Sequence, residues 1–198
     1  MSKLLQEHFN LVYDKKIIKE FKDQSQPIVL KSILQRAESV NQNKRIYPRK
    51  ILEREVENYK KAILENRSTG ELDHPESSIV SLERISHVIR DIWWDNNEVW
   101  GKIEVLNTPK GKIVQELLES GISVGISSRG IGETNKDSEG NDIVSENFIL
   151  VAFDLVAEPS TQNAWLTESK DISLDEIRRM VPKSDRVNRV LNDILKNK

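Results

Sequence analysis

The sequence predicts an α+β fold: a mainly antiparallel β-barrel flanked by helices, with a helical tail at the C-terminal end. Three observations carry this prediction. Runs of aliphatic and β-branched residues dominate the middle of the chain, and turn-rich segments of hairpin length join them. Two segments among them, near residues 48–66 and 108–121, switch to the apolar spacing of amphipathic helices. From about residue 169 the pattern becomes helical throughout. Antiparallel strands with helices inserted between them suit an α+β class and a closed or nearly closed barrel.

The elements follow in order. Residues 1–26 mix charged and apolar side chains without clear period and read as an N-terminal arm with one strand. After Pro27, IVLKSILQRAESV reads as a strand or a pair of strands, and NQNKRIYP as a polar loop. Pro48 suits the first turn of a helix that runs to about Asn66. Its apolar positions Ile51, Leu52, Val56, Tyr59, Ile63 and Leu64 fall on one face. ELDHPESS is turn-like. SLERISHVIRDIWW and EVWGKIEVL are strands joined at DNNE, which makes a hairpin.

Thr108-Pro109 starts a second helix with Ile113, Val114, Leu117 and Leu118 as its stripe, and Gly121 stands where a C-terminal glycine belongs. A second hairpin then runs from ISVGISSRGIGE through NKDSEGND to IVSENFILVAFDLVAEP. With its tip near Glu139, Ser127 would face Val151 and lie about one diagonal step from Asp154. In the tail, Ser173 and Glu176 form a capping box, and Ser184 caps a helix carrying Val187, Val190, Leu191, Ile194 and Leu195. The expected organisation is an arm over 1–26, one domain over 27–168, and a helical tail over 169–198.

Composition narrows the chemistry. The 198 residues include 30 basic and 32 acidic side chains, a net charge of about −2, so no basic excess points to nucleic acid or a membrane surface. No apolar run approaches the roughly 18 residues of a spanning helix, and the first residues have no signal-peptide core. A cytoplasmic protein is expected. With no cysteine there is neither a disulfide framework nor a thiolate nucleophile. His8, His74 and His87 are the only histidines and are not at ligand spacing, so no metal and no cofactor is expected.

GISVG at 121–125 matches the nucleophile-elbow pattern of serine hydrolases. That elbow needs a strand before it and a helix after it. Here a helix precedes and a strand follows, so Ser123 is expected to be an ordinary strand residue. Ser127 and Ser128 stand before R-G-I-G, where glycines let the backbone approach a substrate closely and amides could serve an oxyanion. On composition alone they are better explained as polar residues where a strand leaves the sheet through a glycine bulge. Among bases, His74 in GELDHPESS is better placed than mid-strand His87 or His8 in the arm. Asp154 is the single charge among nine apolar residues in FILVAFDLVA. A buried carboxylate needs a partner, which could be an imidazole, backbone amides or an arginine.

Five segments, in this order, resemble the prohead core proteases of T4-like tailed phages, a family grouped with the herpesvirus assemblin-like serine proteases. They are NQNKRIYP at 41–48, GELDHP at 70–75, DIWW at 91–94, GISSRG at 125–130 and FDLVAEPS at 153–160. The resemblance covers about residues 36–166 and implies an assemblin-like fold. It implies His74 as the base and Ser127, the first serine of S-S-R-G, as the nucleophile. The herpesvirus enzymes use a second histidine after the serine. This chain has no histidine beyond His87, and Asp154 occupies the corresponding region, so Asp154 is expected as the orienting acid. Oxyanion or substrate contacts are expected from Ser128, Arg129 and Gly130.

The resemblance further implies a serine endopeptidase enclosed in the immature prohead within the host cytoplasm. Its partners would be phage scaffold (core) proteins and capsid protein precursors, cut after glutamate in an (Ile/Leu)-x-Glu context, with self-cleavage. Candidate self-cleavage positions are Glu168, after Leu166-Thr167, and Glu176, after Leu174-Asp175. Nucleic acid and membrane are not expected partners, and self-association as a homo-oligomer is left open. The competing expectation is a non-enzymatic prohead scaffold or assembly protein of the same fold, which should lack one triad member.

Overall fold

The computed structural model of this chain describes residues 3–10, 27–75 and 77–157. Ten strands and two α-helices are found among them. β1 (Lys3–Asn10), β2 (Ile28–Arg36) and β3 (Arg45–Ile46) precede α1 (Arg49–Leu64) and β4 (Thr69–Glu71). A 3₁₀ turn (Leu82–Arg84) leads into β5 (Ile85–Asp95) and β6 (Glu98–Val105), followed by α2 (Pro109–Glu119). β7 (Gly125–Gly132), β8 (Thr134–Lys136), β9 (Asp142–Val144) and β10 (Ile149–Val156) complete the order. The tail over 169–198, its caps, Glu168 and Glu176 lie outside the described residues.

Local chemistry explains most boundaries. Pro48, extended at φ −59° and ψ 136°, is the N-cap of α1 rather than its first residue. Thr108 caps α2 by accepting the Gly111 amide proton at 3.0 Å, with Pro109 in the first turn. Gly121 has φ +75°, the left-handed conformation that closes a helix at least cost. The β5–β6 hairpin pairs Asp95 with Glu98, so its loop is the two residues Asn96 and Asn97, with Asn96 left-handed. Two apolar expectations fail: Ile113 of α2 is 45% exposed, and Leu64 of α1 is 82% exposed. Leu64 lies five residues beyond Tyr59, about 140° around the helix from the buried stripe of Ile51, Leu52, Val56 and Tyr59.

The ladders sort these strands into three sheets rather than one closed barrel. The orders are β1–β7–β10, β2–β6–β5–β4 and β3–β9–β8. The first two are wholly antiparallel, whereas β3 pairs with β9 in parallel, inside what reads in sequence as a plain polar loop. Between the first two sheets the backbone makes one isolated β-bridge among the described residues, Leu72 with Leu155. β4 is three residues long and bulges at Gly70/Glu71, so it leaves its ladder before it can extend along β10, and β1 and β2 do not pair either.

α1 packs against β5 and β10. Ile51 and Leu52 join Ala37, Tyr47, Val144 and Phe148 in one apolar cluster. Tyr47 meets Phe148 edge-on at 5.4 Å, and Tyr59 meets Phe153 in the same way at 5.1 Å. The same helix brings one charge inward. Glu55 is 4% exposed, and its carboxylate accepts the Leu150 amide proton at 2.8 Å. Arg54 pairs with Glu55 and donates to the carbonyls of Glu146 and Phe148. Leu150 is where β10 bulges, so α1 holds the bulge from outside the sheet.

Candidate active site

β7 is the middle strand of its sheet, flanked by β1 and β10. In the register, Ser127 is opposite Asp154 on β10 and His8 on β1. Residues directly opposite in an antiparallel pair share a face, so Asp154 is a direct partner of Ser127. The sequence register, with Val151 across from Ser127, is therefore corrected by three residues. Pairing steps from Leu150↔Gly130 to Ala152↔Arg129, which leaves Val151 out of the ladder.

His74 reaches the same face from a loop. Asp73 takes a left-handed conformation, φ 64°, which aspartate tolerates better than most residues. Its amide donates to the Leu155 carbonyl at 2.8 Å, and the Leu72 amide donates to Arg84 at 3.1 Å. The chain is thus turned back over the end of β10. His74 Nε2 then lies 2.5 Å from Ser127 Oγ, and its Nδ1 lies 3.0 Å from Asp154 Oδ2. With Nδ1–H donating to the carboxylate, Nε2 is the acceptor for the serine hydroxyl proton. Ser127 and Asp154 are fully buried, and the His74 side chain keeps 12% exposure.

Asp154 does not depend on the imidazole alone. The Glu71 amide donates to its Oδ1 at 3.1 Å. Arg129, two residues along β7 from Ser127 and so on the same face, donates from Nη2 to Oδ1 at 3.2 Å. Its Nε lies 2.8 Å from Oδ2, an ion-pair contact outside hydrogen-bond alignment. The guanidinium continues to Glu71 Oε1 at 3.2 Å and donates from Nη1 to the Ser77 carbonyl at 2.6 Å. Glu71 Oε1 also accepts the Ser81 amide at 2.7 Å, and Arg84 approaches Oε2 at 3.3 Å. Arg129 and Glu71 are both fully buried.

Three expected roles change as a result. Arg129 was expected against substrate or oxyanion, but its guanidinium is engaged with Asp154, Glu71 and Ser77 beneath the site. Ser128 points to the other face, where its Oγ accepts from Gln35 Nε2 at 2.9 Å. Gly130 is a ladder residue with Phe148 over it; a Cβ there would lie 2.4 Å from the ring. Residues 128–130 pair with strands on both sides, so their amides donate into ladders rather than to an oxyanion. Ser123 lies exposed in the connection before β7 rather than in a strand.

His87 is fully buried. Its Nε2 is 2.9 Å from the Phe153 carbonyl and its Nδ1 is 2.9 Å from Ser86 Oγ. Burial pushes its pKa down to about 4, against smaller opposing effects of Asp154 and the Phe153 carbonyl. Neither the Arg129–Glu71 pairing nor the bulge could be anticipated from the sequence. The available signal was that Glu71 and Arg129 sit inside the two motifs that carry His74 and Ser127.

Residues 7–176 match the family described as Prohead core protein serine protease. The Prohead core protein protease of Enterobacteria phage T4 is 37% identical over 145 residues, covering 71% of this chain and 68% of that protein. The structure of the bacteriophage T4 capsid assembly protease, gp21, is similar with a TM-score of 0.68 and 29% identity. That match covers 80% of this chain and 99% of the T4 chain.

Proposed function

The chain belongs to the prohead core protein serine protease family, and from that premise we propose that Ser127 is its nucleophile, His74 its general base and Asp154 the acid that orients the imidazole. The observation that carries the assignment is the continuous contact from Ser127 Oγ to His74 Nε2 and from His74 Nδ1 to Asp154 Oδ2, at 2.5 and 3.0 Å. Ser127 Oγ bonds to the scissile carbonyl carbon while its proton passes to His74 Nε2. Collapse of the tetrahedral intermediate breaks the C–N bond, and the departing amine takes that proton. Water then attacks the acyl-enzyme by the same route, releasing the carboxylic acid and restoring the serine hydroxyl. Asp154 holds Nδ1 throughout and stabilises the transient imidazolium.

The substrates we propose are scaffold and capsid precursors of the same phage, cut inside the immature prohead after glutamate in an (Ile/Leu)-x-Glu context. Self-cleavage after Glu168 would remove residues 169–198, and after Glu176 residues 177–198; we propose that 169–198 are a detachable helical tail. The test is to incubate the purified chain and Ser127→Ala with capsid precursor and map new termini by mass spectrometry. The parent should cut after glutamate and Ser127→Ala should not. Equal cutting by the two proteins would overturn the serine assignment, and cuts without a glutamate preference would overturn the specificity.

A further inference from the structure

We propose that Glu71 and Arg129 are positioning residues: Arg129 fixes the Asp154 carboxylate, and Glu71 balances Arg129 so that the charge of Asp154 is left for His74. This inference rests on the triad proposed above.

Burial makes the charge count decisive. Asp154, Arg129 and Glu71 are all fully buried, where charges interact with far less screening than at the surface. If Arg129 faced Asp154 alone, the two would form a neutral pair. An imidazolium forming 3.0 Å away would then gain little from that carboxylate. Glu71 changes the balance. Its Oε1 lies 3.2 Å from Arg129 Nη2, the same atom that donates to Asp154 Oδ1. The buried trio of two carboxylates and one guanidinium carries a net negative charge next to His74. Arg84, with 39% of its side chain exposed, offsets that charge only from the solvent side.

Geometry gives the pair a second effect. Arg129 Nη1 holds the Ser77 carbonyl and Glu71 Oε1 holds the Ser81 amide, 2.6 and 2.7 Å respectively. The loop that starts at His74 is therefore fastened by the groups that fasten Asp154. Base and acid are held as one unit, with the planar fork of arginine spanning several acceptors as a lysine could not.

Other titratable residues adjoin the same place in contact, chain order or register. The Tyr59 phenol and buried His87 both interact with Asp154, and burial pushes the phenol up and the imidazole down. Asp73 adjoins His74 in the chain, and β1 sets Glu7 and His8 in register with Ser128 and Ser127. Glu71 is singled out because it is the second fully buried carboxylate bonded to Arg129.

The test compares pH profiles of kcat/KM for a synthetic peptide with a Leu-x-Glu site, using the full chain and its Glu71→Gln, Arg84→Gln and Ser127→Ala forms. Glutamine keeps the acceptor for Ser81 and Arg129 but removes the charge. The expected result for Glu71→Gln is about a tenfold fall in kcat with KM within twofold, and an acidic limb displaced to lower pH by half a unit or more. Arg84→Gln removes the offsetting cation and should displace that limb to higher pH. A role in folding alone would lower the active fraction without moving either limb. Unmoved limbs in both variants, or limbs that move in the opposite directions, would overturn the proposal. Arg84→Gln decides alone should Glu71→Gln not fold. Ser127→Ala separates the premise: undiminished activity there removes the triad reading itself, whereas a dead Ser127→Ala with unmoved limbs removes only this one.

Discussion

Asp154 stands directly across the ladder from Ser127 because one residue of β10, Val151, is left without a partner on β7. Without that bulge, the pairing set by Ile149↔Ile131 and Leu150↔Gly130 would continue and bring Phe153 opposite Ser127. Asp154 would then turn to the other face, since a one-residue slip inverts every side chain of a strand. The acid of the site therefore depends on an irregularity in the sheet.

Glu55 should accordingly matter to both stability and activity, although it touches no triad member. Its carboxylate accepts the Leu150 amide at the bulge. Glu55→Ala leaves that amide without its acceptor, at a cost of about 1–3 kcal/mol, while Arg54 keeps the carbonyls of Glu146 and Phe148. For a domain of this size, that cost corresponds to a fall of several degrees in Tm. Glu55→Gln keeps an acceptor and should recover most of the loss. Thermal unfolding alongside a peptide-cleavage assay checks both parts. An Ala variant with parental Tm and activity would show that the bulge is set elsewhere.

Asp154→Asn should leave the fold intact and lower kcat by a factor on the order of 10³–10⁴. An amide can present its NH₂ group to His74 Nδ1, which selects the tautomer whose Nε2 cannot take the serine proton. Arg129 keeps Glu71 and the Ser77 carbonyl as partners, so the guanidinium is not stranded. Single-turnover kinetics on a Leu-x-Glu peptide, with circular dichroism as the fold control, measure the effect. A loss below tenfold would remove Asp154 from the orienting role.

Much of this was legible in the sequence because it rests on local signals. Period and caps locate α1 and α2, and the asparagine pair locates the β5–β6 turn. The lone carboxylate in FILVAFDLVA demands a partner wherever it is buried. What was not legible depends on contacts distant in sequence. Leu150 and Glu55 are 95 residues apart, and no local pattern says that one will accept the other's amide and shift the register. Arg129 reads as a substrate or oxyanion contact until Asp154 and Glu71 are seen on either side of it. Sheet closure failed as an expectation for a similar reason. The pattern counts strands but does not reveal that β4 ends after three residues.

Gly70 should tolerate no side chain. A Cβ there would lie 2.0 Å from the Phe153 carbonyl oxygen and 2.3 Å from His87 Nε2. The first contact is backbone and cannot swing aside. Gly70→Ala is expected to destabilise by about 1–3 kcal/mol or more through overpacking. Because Phe153 adjoins Asp154, cleavage activity should fall further than the folded fraction does. Denaturant unfolding and kcat, measured on the same preparation, separate the two losses. An alanine variant with unchanged midpoint would mean that β4 and β10 can part without consequence.

Acid should weaken the fold through His87 before it does so through the aspartates. Burial pushes this imidazole down to about 4, against about 6.5 for an exposed histidine. Above pH 6.5 it is neutral in both folded and unfolded chains, and its contribution to stability is constant. Between pH 6.5 and about 4 the unfolded chain binds a proton that the folded one refuses, so stability falls as pH falls. Over that window the loss approaches about 3 kcal/mol, and below it the folded state also takes the proton. Asp137 and Asp142, each held low chiefly by a side-chain hydrogen bond, from Asn141 and Lys136 respectively, lose stability in the same direction. Their part begins only near and below the usual carboxylate range. Urea unfolding at half-unit steps from pH 7.5 to 4.5 resolves the histidine's window. His87→Gln should be less stable than the parent at pH 7.5 yet show a shallower decline between pH 6.5 and 4.5. A parent whose stability is flat over that window would mean that His87 takes up its proton without opening the core.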